Sequence, residues 1–114
     1  PDLSAVAPSV RSQIDTRDAA LRTTLAAASA PAHDVAVRYG ELGHLLVAAT
    51  FFDEAILCYR HAEAREPAEA RWPYARAHAH VKAGDRTAAA AAFERALALQ
   101  PQYTPALIWL ADMY

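Results

Sequence analysis

Apolar residues recur along this chain at steps of three, four and seven, and nowhere alternate in the manner of a strand. Val10, Ile14, Leu21, Leu25 and Ala28 share one face of a helix predicted over about 9–29, with Ser9 as its N-cap. Pro1 and Pro8 mark residues 1–8 as an extended lead-in, and Pro31 should end the helix near Ala30 by disfavouring helical geometry at the preceding residue. Asp34 is the expected N-cap of a second helix, about 35–48, whose core face is Tyr39, Leu42, Gly43 and Leu46. Thr50 marks a short turn. A third helix, about 53–65, begins at Asp53 and Glu54, whose charges suit a helix N-terminus, and buries Ala55, Ile56, Tyr59 and Ala62. Pro67 closes it. Pro73 is tolerated in the first turn of a helix over about 70–83, and Gly84 suits its left-handed end. The next helix, about 86–99, carries Phe93, Ala96 and Leu97 on its core face and ends before Pro101. Pro105 opens a last one with Leu107, Ile108, Leu110 and Ala111. The pattern predicts an all-α chain.

The pattern also repeats. Ala55, Tyr59, Ala62 and Pro67 recur 34 residues later as Ala89, Phe93, Ala96 and Pro101, and Gly43 recurs as Ala77 and Ala111. A fixed period of this length predicts stacked supersecondary units, each burying its apolar face on its neighbours.

The residues that carry the period resemble those of tetratricopeptide repeat proteins. The first unit offers Tyr39, Leu42, Gly43, Leu46, Phe52, Ala55, Tyr59, Ala62 and Pro67, and the second Ala77, Gly84, Ala89, Phe93, Ala96 and Pro101. A third begins with Leu107, Leu110, Ala111 and Tyr114. The resemblance implies a right-handed superhelical array of antiparallel helix pairs, with repeats at 36–69 and 70–103 and the first helix of a third at 104–114. Residues 1–33 would then be a lead-in and a helix capping the stack, or alternatively a helical dimer arm. Gly43 is expected to cross the small alanines near Ala55, and Tyr59 and Phe93 to fill the space between successive pairs. Arg76, His80 and Arg86 depart from the pattern, placing polar groups on a nominal core face. Either the helix is rotated, or their stems pack while their heads reach solvent.

In this family the first helix of each unit lines a concave groove. The resemblance places Val37, Gly40, His44 and Val47 there, followed by Arg71, Tyr74, His78, Val81 and Lys82, then Ile108 and Asp112. Tyrosine and histidine suit peptide contact, offering an apolar body and a polar tip. The implied function is a scaffold that reversibly binds a peptide or helix of another protein. Family members that clamp a chaperone's C-terminal carboxylate need a lysine and an asparagine where this chain has Gly40 and His44, which argues against that ligand. Two rivals remain: a self-associating module working through its ends, and a regulatory piece of a larger protein. A last helix without its pair would leave Leu107, Leu110 and Tyr114 exposed, so either the native chain continues or a second copy covers them.

Composition narrows this only a little. The chain has 114 residues, a net charge of −2 and a sequence pI near 6.2, which argues against a nucleic-acid partner. No apolar run is long enough to insert into a membrane. No basic start followed by an apolar stretch marks a leader, which slightly favours the cytoplasm and leaves the periplasm open if a leader has been removed. Alanine richness hints at a GC-rich bacterial genome. Candidate chemistry is thin. His44 and His78 fall on equivalent helix faces, but two histidines without a third ligand make a weak metal site. His33 and His61 are expected to face solvent. Cys58, the single cysteine, reads as a small, partly buried hydrophobe; a catalytic thiolate needs an activating histidine or cationic setting, and His61, three residues on, makes no catalytic constellation from one helix face alone. With 3 glycines there is no phosphate-binding loop. Neither an enzyme nor a cofactor is expected.

Overall fold

The computed structural model describes residues 8–26 and 31–113. They form six helices and no strand: α1 (Pro8–Ala26), α2 (Ala32–Ala48), α3 (Phe52–Arg65), α4 (Arg71–Ala83), α5 (Arg86–Leu99) and α6 (Thr104–Met113). Ala28, Ala30 and Tyr114 lie outside the described residues, as does nearly all of the lead-in.

Local chemistry sets the helix ends. Pro8 begins α1, so neither an extended Pro8 nor a capping Ser9 is found. The second helix starts at Ala32 instead of beyond Asp34, because Pro31 (φ −60°, ψ 145°) already holds the geometry that precedes a helix. Asp34 therefore sits inside the first turn, where its charge still meets the positive helix end. Thr50, at φ 69°, makes the tight reversal into α3. Gly84, at φ 87°, ends α4 in the left-handed region that glycine occupies without a steric penalty. Asp85 then caps α5, its side chain accepting from the Ala88 N–H at 3.0 Å.

The 34-residue period is visible in the packing. Phe52–Arg65 and Arg86–Leu99 are offset by that interval at both ends, and Ala55, Cys58, Tyr59 and Ala62 are buried at the positions of Ala89, Ala92, Phe93 and Ala96. Each helix makes its main contacts with the helices adjacent to it in sequence. Two apolar clusters result. One joins Ile14 and Leu21 of α1 to Leu42, Leu46, Ile56 and Tyr59, with Trp72 closing it. The other gathers Ala77, Ala89, Phe93, Ala96, Ala106 and Leu110.

Several packing expectations need correction. The nearest neighbour of Gly43 is the Tyr59 ring: a β-carbon there would lie 2.7 Å from Tyr59 Cε1. Leu25 is exposed, so Ile14 and Leu21 carry the seam of α1. Leu110 is buried with Ala106, one turn away on the face of α6 that packs on α5, whereas Leu107 is exposed as expected. Tyr39 is only half-buried, stacked on His61 at 4.7 Å with the Arg65 guanidinium 5.3 Å from its ring centre. Of the three polar departures, Arg86 is exposed, Arg76 pairs with Glu63, and His80 is buried with no hydrogen-bond partner for Nε2.

Candidate functional site

On α4, Tyr74 and His78 are one turn apart and share a face. Their rings meet edge to face with centroids 4.6 Å apart, and both lie against Phe93 of α5, at 5.7 and 5.6 Å. Tyr103, in the connection after α5, stacks on Tyr74 at 5.1 Å. Trp109 of α6 closes on His78 at 4.8 Å and stacks on Phe93 at 5.8 Å. Five rings from α4, α5, the following connection and α6 thus form one cluster. Phe93 is fully buried, while Tyr74, His78, Tyr103 and Trp109 each keep part of their surface open. Such edge-to-face and offset contacts contribute beyond area burial and hold the rings in defined positions.

The first unit has a related arrangement with different chemistry. His44 stands over Tyr59, centroids 5.4 Å apart, and its Nδ1 lies 2.7 Å from the Tyr59 hydroxyl. Fifteen residues separate His44 from Tyr59 and likewise His78 from Phe93. The second pair lacks the hydroxyl, so His78 is held by ring faces alone.

Electrostatics keep this surface neutral in its histidines. Burial lowers the His44 pKa, the nearby Arg71 charge lowers it further, and Glu41 opposes them in part. Burial and the Lys82 charge lower that of His78. Burial, with Tyr74 and Glu69 adding to it, raises that of Tyr103. Arg71 lies 4.2 Å over the Trp72 ring centre.

Placed against these features, the expected groove residues divide. Tyr74 and His78 belong to the ring cluster, His44 stands over Tyr59, and Arg71 lies over Trp72, with the exposed Lys82 one turn past His78. Val37, Val47 and Val81 are half-buried and mainly serve the two cores. Ile108 and Asp112 are exposed on α6. Gly40 is corrected: it is buried beneath the Trp72 ring, which a β-carbon on it would strike. Tyr103 and Trp109 were not foreseen. They fall outside the repeating positions, and the only sequence cue is two large aromatics close to the third unit's small face.

Cys58 is buried, and its thiol pKa is pushed up to about 11 by burial, with the Asp18 and Glu54 carboxylates adding to the shift. A thiol so protonated is a poor nucleophile. Among the described residues, no three His, Cys, Asp or Glu side chains gather as a metal site, and no helix is long and apolar enough to cross a membrane.

No protein-family model matches the chain, and no curated protein matches it.

Proposed function

We propose that this chain is a tetratricopeptide-like interaction scaffold that holds a peptide or helix of another protein along α2, α4 and α6. The observation that carries the reading is the partly open ring cluster of Tyr74, His78, Tyr103 and Trp109, continued toward α2 by Arg71 and His44. Aromatic side chains with polar tips, fixed by their neighbours, offer a large contact area with little side-chain entropy left to lose on binding. The 34-residue offset between α3 and α5, and the contacts between sequence neighbours, support an array in which α1 caps one end.

The test is capture of partners from native lysate by wild type and by the Tyr74→Glu, His78→Glu double variant, both with unchanged circular dichroism. Capture by wild type and loss by the variant supports the groove. Equal capture by both contradicts it.

A second reading is self-association, favoured by one observation: Leu107 and Ile108 on α6 are 47% and 64% exposed. Under this reading mass measured by light scattering rises with concentration, and Ile108→Lys abolishes the rise.

A further inference from the structure

The opposite face of α4 carries charge where repetition calls for hydrocarbon. At 100° per residue, Pro73 and Arg76 point away from Tyr74 and His78. Arg76 stands 34 residues after Leu42 and 34 before Leu110, and both leucines are buried. Its side chain is only 15% exposed. It is held in place by α3, its Nε donating to both Glu63 carboxylate oxygens at 3.0 and 3.1 Å. That contact occupies one of the five guanidinium N–H groups. The four on the terminal nitrogens have no hydrogen-bond partner among the described residues.

Arg76 lines a cleft of about 580 Å³ between α3, α4 and α5, and two more arginines line it with Arg76: Arg60 from α3 and Arg95 from α5. Neither forms an ion pair among the described residues. Glu63 is the single carboxylate in the lining. The cleft therefore carries an excess of two positive charges on a chain whose net charge is −2. The field is felt beyond the lining, since the pKa of buried His80 is lowered first by its burial and then by Arg76 and Arg60. Three guanidinium groups drawn to one cleft repel one another, and that repulsion is relieved when anionic oxygens lie between them. Guanidinium is the fork that suits carboxylate, and Pro67, Pro73 and Leu99 supply apolar walls for side-chain methylenes. The volume exceeds what one small ion fills and falls in the range of sites that hold larger ligands.

We propose that this cleft is a second docking site, for an acidic peptide segment of a partner protein whose carboxylates pair with Arg60, Arg95 and the terminal nitrogens of Arg76. The site lies on the far side of α4 from the ring cluster and does not depend on it.

Fluorescence anisotropy with fluorescein-labelled hexaglutamate tests this. Wild type binds. The Arg60→Ala, Arg95→Ala double variant, which alters exposed ends and leaves the Arg76–Glu63 pair intact, binds at least about tenfold more weakly. An Arg11→Ala, Arg86→Ala double variant removes the same charge elsewhere on the surface and binds as wild type. Amide and arginine Nε–H spectra of the unmodified protein locate the peptide independently of any variant, with shifts at Arg60, Arg76 and Arg95 and not at Tyr74. The proposal is overturned if wild type does not bind, if both arginine doubles weaken binding equally, or if inorganic pyrophosphate displaces the peptide at equal concentration, which would make the cleft a small-anion site.

Discussion

Gly43 shows how much one hydrogen atom decides. With no β-carbon it lets the Tyr59 ring lie directly on α2, at a spacing where any side chain would strike the ring. Gly43→Leu overpacks this contact and should cost about 3 kcal/mol, against about 0.5 kcal/mol or less for an exposed change. A melting temperature within a degree or two of wild type would refute the packing described. Tyr59→Phe makes the first unit resemble the second, removes the hydroxyl that meets His44 Nδ1, and should cost about 1 kcal/mol in urea unfolding. His80→Leu runs the other way. Leucine already occupies the equivalent Leu46 position, and His80 Nε2 is buried without a partner, so the change should stabilise by about 1 kcal/mol and raise the melting temperature by roughly 4 °C or more. A lower melting temperature would mean that His80 makes a contact the account lacks.

Helix limits were largely legible in the sequence, because proline, glycine and aspartate act locally. Gly84 and Pro101 fixed the ends expected of them, and the α3 and α5 bounds lie within a residue of those expected. What could not be read was which large side chain covers which small one. Its place in the repeat puts Gly40 on an open surface, but the Trp72 ring, thirty-two residues later in the chain, lies over it. Trp72 is in turn fixed by its Nε1–H donating to Glu66 at 3.0 Å, while His33 lies 2.8 Å from the other Glu66 oxygen. Burial pushes the Glu66 pKa up, but these two hydrogen bonds, with the His33 and Arg71 charges, hold it below the ordinary carboxylate value. A depressed acid stabilises above its unfolded pKa and loses that contribution as pH falls through the lower, folded one. Glu66→Gln should therefore lower stability at neutral pH and flatten the loss seen below about pH 4. Parallel curves for the two proteins would show that Glu66 does not clamp this joint. Trp109 and Tyr103 are illegible in the sequence for a different reason: side chains at unrepeated positions find their neighbours only once α6 has packed on α5.

Across the stack, three histidines with lowered pKa values make stability depend on pH. In the unfolded chain each titrates near about 6.5, so below that the unfolded state binds more protons than the folded one, and stability falls as pH drops. The fall should be shallower in His80→Leu, and an unchanged slope would contradict burial as its cause. The same arrangement sets a ring-rich surface on one side of α4 and a cationic cleft on the other, so one helix contributes to two chemically distinct faces. Most contacts join sequence neighbours, and each face is assembled from only two or three helices.

The most direct test of the scaffold reading is photo-crosslinking in native lysate from a benzophenone residue placed at one exposed position at a time. Lys82 lies one turn past His78 and Ile108 precedes Trp109, both exposed, and Leu57 is an exposed residue of α3. An adduct to another protein is expected from positions 82 and 108 and none from position 57. Adducts from position 57 alone, or only a dimer of this chain from position 108, would contradict it.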